Sequence, residues 1–286
     1  MRYGKVSIFG PGLIGGAAGI DLVNARLARE VVGWGRNPSR LREALEAGAC
    51  DSTTTDIEEA VNDSEILLIT APPGAIISII KDAGPFLSEG MLIIDAGSVK
   101  KPIVEAASGS GLFEKGAEFV GCHPMAGSEK AGVRNSRPGM FRGSACIITP
   151  SENNTVPMVE KAAGFWRSLG AETLETDPEQ HDYLMGLISH LPHAAAAAMV
   201  LCAFNEISDS NLIARAAGPS FQGMTRVALS GPELWADIFL SNRDNVLRSL
   251  SAMQDSLSEF KETLKTGDRS RLEGYLSKAR ERRKLL

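Results

Sequence analysis

Short aliphatic runs alternate with helix-spaced stretches along the first part of the chain. Residues 5–9 form an apolar run bounded by glycine, as expected of a strand buried on both faces of a parallel sheet. Helical spacing follows from about residue 13 to residue 29. Residues 30–34 predict a second strand. Residues 38–47 predict a helix with Pro38 in its first turn and Gly48 as its stop. Runs at 66–69, 91–94, 118–120, 145–148 and 171–174 predict further strands. This spacing suits repeated βαβ units and a mostly parallel sheet with helices on both faces. After Asp177 no strand-like run survives. Helix follows helix, with Pro192, Gly218-Pro219 and Gly231-Pro232 as kinks or breaks. The alanines at 194–198 suit close helix contacts, and a dimer interface is expected in this helical part.

Composition adds limits rather than direction. The chain has 286 residues and a formal charge of -5, and 43 % of its residues are hydrophobic. That is ordinary globular composition, long enough for two domains and too acidic for a general nucleic-acid binder. The four cysteines (Cys50, Cys122, Cys146, Cys202) are far apart and form no Cys-x-x-Cys, so they read as buried thiols with no metal implied. The longest apolar run, 194–204, has eleven residues and is too short to span a bilayer. A Gly-rich motif begins at once after Met1-Arg2-Tyr3-Gly4, so no signal peptide is expected and the protein is expected to be cytoplasmic, without a membrane partner. Only four histidines occur, at 123, 181, 190 and 193, so chemistry that needs an imidazole has few candidates.

Gly10-Pro11-Gly12-Leu13-Ile14-Gly15 fits Gly-x-Gly-x-x-Gly. It follows a predicted strand and opens a predicted helix, where the first unit of a Rossmann-type dinucleotide fold belongs. Gly10 makes the turn, Gly12 admits the pyrophosphate to the backbone, and Gly15 lets helix and strand pack closely. The fold expected is therefore α/β, with a dinucleotide-binding domain over residues 1–176 and an all-helical substrate-binding and dimerisation domain over 177–286. The end of the second strand selects the cofactor. An NAD site places Asp or Glu there for the ribose hydroxyls. This chain has Gly35-Arg36-Asn37 with Arg40 one turn on, and Arg36 can bond a 2′-phosphate. NADP is expected, with Leu13, Ile14, Asn37, Arg40, Ala71 and Pro72 completing its contacts.

Ligands in an open α/β sheet sit at the carboxyl ends of strands. Ser98 and His123 both follow predicted strands there. His123 opens a Gly- and Pro-rich loop, and a near-neutral imidazole suits a general base. Ser98 has a second reading, as the cap of a helix beginning near Pro102.

The stretch His123-Pro124-Met125-Ala126-Gly127-Ser128-Glu129-Lys130-Ala131-Gly132 resembles the signature loop of the prephenate/arogenate dehydrogenases of tyrosine biosynthesis. Gly10–Gly16, Asp95-Ala96-Gly97-Ser98-Val99-Lys100, Ser189-His190-Leu191-Pro192-His193, Thr225-Arg226 and Glu233-Leu234-Trp235 agree with it in order. The resemblance implies oxidative decarboxylation of a cyclohexadienol that carries a ring carboxylate. It implies His123 as the base on the ring hydroxyl and Ser98 as its orienting partner. Arg226 would grip a carboxylate. Ser128, Ser189 and His193 would line the pocket, and Trp235 would approach it, from this chain or a partner subunit. NADP use goes with a lean toward arogenate.

Other readings stand beside these. His190 is expected to pack between helices and His181 to lie at the surface or an interface. Arg226 has an alternative as a buried ion-pair partner, and Glu129 as a gate or plain surface. Gln222-Gly223 stands where relatives commonly show a basic residue and Asp. No fused mutase segment and no regulatory domain are expected. The competing functions are a related β-hydroxyacid or imine reductase, which would not need His123 or Ser98, and a non-catalytic NADPH-binding sensor, which would need the Gly-rich turn alone.

Overall fold

The computed structural model describes residues 2–128 and 130–285. The chain alternates β1 (Tyr3–Phe9), α1 (Leu13–Asn24), β2 (Ala28–Trp34), α2 (Pro38–Glu46), β3 (Ser52–Thr54), α3 (Ile57–Val61), β4 (Ser64–Ile69), α4 (Pro73–Ala83), β5 (Leu92–Asp95), α5 (Lys101–Ser108) and β6 (Glu118–Pro124). Strands β7 (Ala145–Thr149) and β8 (Glu172–Glu175) follow, joined by α6 (Val156–Ser168). They form one sheet in the order β3-β2-β1-β4-β5-β6-β7-β8. All neighbours are parallel except β6 with β7. The sheet buries aliphatic cores on both faces. One packs Ala17 and Leu22 of α1 with Phe165 and Trp166 of α6. The other packs Ile76 and Ile80 of α4 with Ile103 and Val104 of α5.

After β8 every element among the described residues is helical: α7 (Pro178–Met185), a π-type turn at Gly186–His190, α8 (Leu191–Glu206), α9 (Ser210–Ala216), α10 (Pro219–Thr225), a 3-10 turn at Arg226–Leu229, α11 (Pro232–Ser241), α12 (Arg243–Lys265) and α13 (Arg269–Arg283). The fold is a Rossmann-type α/β sheet followed by an all-helical region, as the pattern predicted.

Three expectations change. Helix α1 stops at Asn24 rather than near residue 29, because Arg26 takes a left-handed turn (φ 53°) and β2 starts at Ala28. Strand β3 is short and polar and gave no apolar run to read. Strand β6 extends through His123 and Pro124, which pair with Ile147 and Cys146 of the antiparallel β7, so His123 lies in a strand and not in the loop after it.

Helices α7 and α8 run on through the π-type turn as one 29-residue segment, long and apolar enough by composition to cross a membrane, unlike the eleven-residue run read from sequence. The widened turn answers Pro192. Its ring leaves no room for the carbonyl of Ile188 four residues back, and its missing N–H breaks the regular ladder. The same segment buries His181 and Asp182 against the sheet domain and packs His190 against Asn242.

Candidate active site

The strand order reverses beside β1, and the carboxyl ends of β1 and β4 open there into a cavity of about 530 Å³. Gly10, Gly12, Arg36, Asn37, Arg40, Ala71 and Pro72 line it, with Thr70, Ala75 and Ile79 added by the structure. Close approach dictates Gly15: a methyl there would lie 2.3 Å from Thr70 Oγ1. Gly12 is different. A methyl on it would meet only Gly10 O, at 3.9 Å, so no protein atom demands a glycine. The space it leaves lies at the uncapped N-terminus of α1. Backbone N–H groups and the helix dipole there suit a pyrophosphate, so the residues present fit a dinucleotide.

Among the side chains around the ribose position, Asn37 Oδ1 accepts from Ser39 N (2.9 Å) and Arg40 N (3.3 Å) and so caps α2. Its amide N–H groups alone are left for a ligand. Arg36 is exposed, with its guanidinium 3.7 Å from Asp82.

A second cavity of about 530 Å³ adjoins the first, and Ala131 and Gly132 line both. Ser98, His123, Ser128, Ser189, His193, Arg226 and Trp235 all line this second cavity. So do Leu13 and Ile14, which therefore face the second cavity rather than the ribose side of the first. Lys130, Val227, Ser230, Leu234 and Ile238 are also in the wall, with the stretch from Pro124 to Gly127. Trp235 comes from the same chain as the rest of the wall. It stacks on the His193 ring, with centroids 3.4 Å apart and planes 19° from parallel. Ser98 is not a cap: α5 begins after Lys100 without a side-chain cap from its own segment. Arg226 is exposed at the cavity and not buried. Glu129 lies outside the described residues.

Behind the cavity wall the structure overturns the surface reading of His181. Its ring is fully buried, with Nε2 2.9 Å from His123 Nδ1 and Nδ1 2.8 Å from Asp182 Oδ1. His190 packs between helices as expected, with Nδ1 3.0 Å from Asn242 Nδ2. Beneath His123, Lys100 Nζ pairs with Asp95 and donates to Cys122 O at 2.8 Å, both groups fully buried. Asp95 also accepts from Cys122 N and Gly97 N, each at 2.9 Å. That buried pair ties the turn carrying Ser98 to the strand carrying His123.

Burial holds all four imidazoles below their ordinary range and therefore neutral at pH 7. His123 lies well below 6.5, through burial and then through His181, Lys100 and His190. His181 is held to about 2 by burial, Lys100 and His190. His190 and His193 are each held to about 4 mainly by burial, with the Arg226 guanidinium adding to the depression at His193. Of the cysteines, Cys202 is exposed and the other three are buried.

Residues 19–175 match the family described as prephenate dehydrogenase, nucleotide-binding domain, and residues 177–278 match its dimerization domain. The chain belongs to the prephenate dehydrogenase family. Prephenate dehydrogenase of Bacillus subtilis is 27 % identical over 97 % of this chain and 75 % of its own length. The crystal structure of Aquifex aeolicus prephenate dehydrogenase in complex with hydroxyphenyl propionate and NAD+ superposes with a TM-score of 0.90 at 31 % identity, covering 99 % of this chain and 97 % of that one. Synechocystis arogenate dehydrogenase gives a TM-score of 0.82 at 25 % identity, covering 99 % and 100 %.

Within this prephenate dehydrogenase family member, Gln222 and Gly223 lie off the cavity wall. Gln222 Nε2 donates to Ala217 O (2.8 Å) and braces the start of α10, while a methyl on Gly223 would meet nothing within 4 Å. Gln222 alone supports the segment leading to Arg226, and neither residue lines the cavity.

Proposed function

We propose that this protein catalyses the NADP-dependent oxidative decarboxylation of arogenate to tyrosine, or of prephenate to 4-hydroxyphenylpyruvate, with arogenate favoured. The observation that carries the reading is that His123, Ser98 and Arg226 line one cavity, which meets, at Ala131 and Gly132, the cavity at the Gly-rich turn. A bound oxidised nicotinamide supplies the hydride acceptor for the ring carbon that bears the hydroxyl. His123 takes the hydroxyl proton as that carbon is oxidised, and Ser98 orients the hydroxyl. The carbon–carboxylate bond on the opposite ring carbon then breaks. Its electron pair enters the ring, carbon dioxide leaves, and the new phenolate recovers its proton from His123. A weak base suffices, because loss of hydride makes the hydroxyl strongly acidic. Aromatisation drives the rest, so positioning does most of the work. Arg226 holds a substrate carboxylate in bidentate fashion. Ser128, Ser189, His193 and the Trp235 face bound the ring.

Residues 1–176 carry the nucleotide and residues 177–286 close over the substrate and pair two copies in the cytoplasm. Support for the pairing is the exposed apolar surface of the helical part, where Leu201 is 62 %, Leu229 78 % and Leu240 73 % exposed in a single copy. The test is the absorbance of reduced cofactor with each substrate and each of NADP and NAD. Turnover is expected, fastest with arogenate and NADP. No turnover with any pair overturns the reading.

The preference for NADP rests on Arg36, since no carboxylate ends β2. Arg36→Ala is expected to raise KM for NADP about tenfold, the low end for a charged hydrogen bond at an exposed site. KM for NAD should change by less than about twofold, because NAD offers no 2′-phosphate. Equal effects on both cofactors would remove the argument.

A further inference from the structure

A general base must present an unprotonated nitrogen, and a neutral imidazole has two tautomers, only one of which leaves a given nitrogen free. For His123 that choice is made outside the cavity. It starts at the N-terminus of α5, where the backbone N–H groups of Lys100 and Lys101 have no partner within their own helix. Asp182, reaching across from α7, accepts both, Lys100 N on Oδ1 at 2.7 Å and Lys101 N on Oδ2 at 3.0 Å. Asn242 Nδ2 anchors the Asp182 backbone by donating to its carbonyl at 2.7 Å. A carboxylate so placed is an acceptor at each oxygen. His181 Nδ1, 2.8 Å from Oδ1, must therefore carry the proton. His181 Nε2 is then a lone pair, and it lies 2.9 Å from His123 Nδ1. His123 must donate there, and its Nε2 is left as a lone pair.

We propose that Asp182 and His181 form a positioning relay that locks His123 in the Nδ1–H tautomer, frees its Nε2 to accept the substrate proton, and steadies the imidazolium that results. The relay rests on the reading of His123 as the base. The other charged or titratable groups facing these rings are Lys100 with its partner Asp95 from the end of β5, and His190 from the π-type turn. Since Asp182 and His181 belong to α7, the base is set only when the helical region is docked on the sheet.

The tautomer can be read without substrate. Only four histidines occur, so protein labelled with 15N in its histidine rings gives four ring patterns, assignable by single substitutions. In the unsubstituted protein at neutral pH, His123 should show a protonated Nδ1 and a bare Nε2. In His181→Phe the acceptor is gone, and His123 should shift to the Nε2–H form. Its kcat should fall by about 10²–10³, less than the roughly 10⁴ seen when a wrong tautomer is forced in a Ser-His-Asp triad. KM should change by less than about threefold, since no substrate contact is removed. His181→Gln, whose side-chain carbonyl can accept from Nδ1–H, should recover at least about tenfold of the loss in kcat. An Nε2–H His123 in the unsubstituted protein overturns the relay, as does a His181→Phe enzyme with unchanged kcat and tautomer. If His181→Phe does not fold, the spectra of the unsubstituted protein and of His181→Gln decide alone. Because the spectrum needs no turnover, a failed relay is distinguishable from a failed dehydrogenase reading.

Discussion

The His123→Asn enzyme is expected to lose about 10²–10⁴ in kcat, the usual range for removal of a positioned general base. Asparagine keeps a polar side chain at the cavity wall but has no group that takes up a proton, so the hydroxyl must lose its proton to water. Binding of the ring and of the cofactor should persist, because Arg226, Trp235 and the α1 turn are untouched, and KM should move far less than kcat. The pH profile gives a second reading of the same residue. Burial, with His181, Lys100 and His190 adding to it, holds His123 well below 6.5. The active form is the neutral ring. As pH falls through 6.5 an ordinary histidine would charge, while this one stays neutral. The acid limb of kcat should therefore lie clearly below 6.5 in the unsubstituted enzyme and vanish in His123→Asn. An unchanged kcat, or an acid limb at 6.5 or above, would remove His123 from its role.

What was legible from sequence is what local physics decides. The turn at Gly10–Gly15 is legible because its Gly-x-Gly-x-x-Gly spacing between a strand and a helix is local, although the nearest atom crowding each of Gly10 and Gly15 belongs to Thr70. The strands β1, β4 and β5 follow from runs with no polar side to present. What was not legible depends on partners remote in the chain. β6 runs on through His123 because β7, coming back antiparallel, supplies hydrogen bonds that no pattern near residue 123 announces. Arg26 ends α1 by a single left-handed residue inside a run that still has helical spacing. His181 beside Asp182 reads as a surface or interface residue, since nothing near it in the chain announces a buried ring. Its burial comes from α7 docking on α5, and its ring partner is 58 residues away in sequence. The family resemblance named residues that line the second cavity. Its motifs contain the buried Asp95, Lys100 and His190 without giving them a role, and they do not reach His181 and Asp182, whose partners are other protein groups.

Arg226→Gln is expected to raise KM for the substrate by about 10–10², with kcat within about threefold of the unsubstituted value. Each hydrogen bond to a charged group is worth roughly 1.5–3 kcal/mol, or about 10–150-fold in binding, and a fork-shaped guanidinium makes two. Exposure at the cavity mouth screens part of this, which places the estimate at the lower end. Glutamine keeps one donor and the length of the stem but loses the charge and the fork. Arg226→Lys keeps the charge alone and should fall between the two, because an ammonium is a point charge without planar geometry. A packing role would make lysine and glutamine equivalent, so the order of the three separates carboxylate recognition from support of the 3-10 turn. A second observable is independent of substrate. The guanidinium is one of the two causes that depress His193, which lies at about 4. Without the charge, the His193 titration should move upward, towards but not to 6.5, because burial remains. Histidine-ring spectra across pH measure this directly. A KM unchanged in Arg226→Gln, together with an unmoved His193, would mean that the substrate carboxylate is held elsewhere on the wall, with Lys130 the first side chain to test.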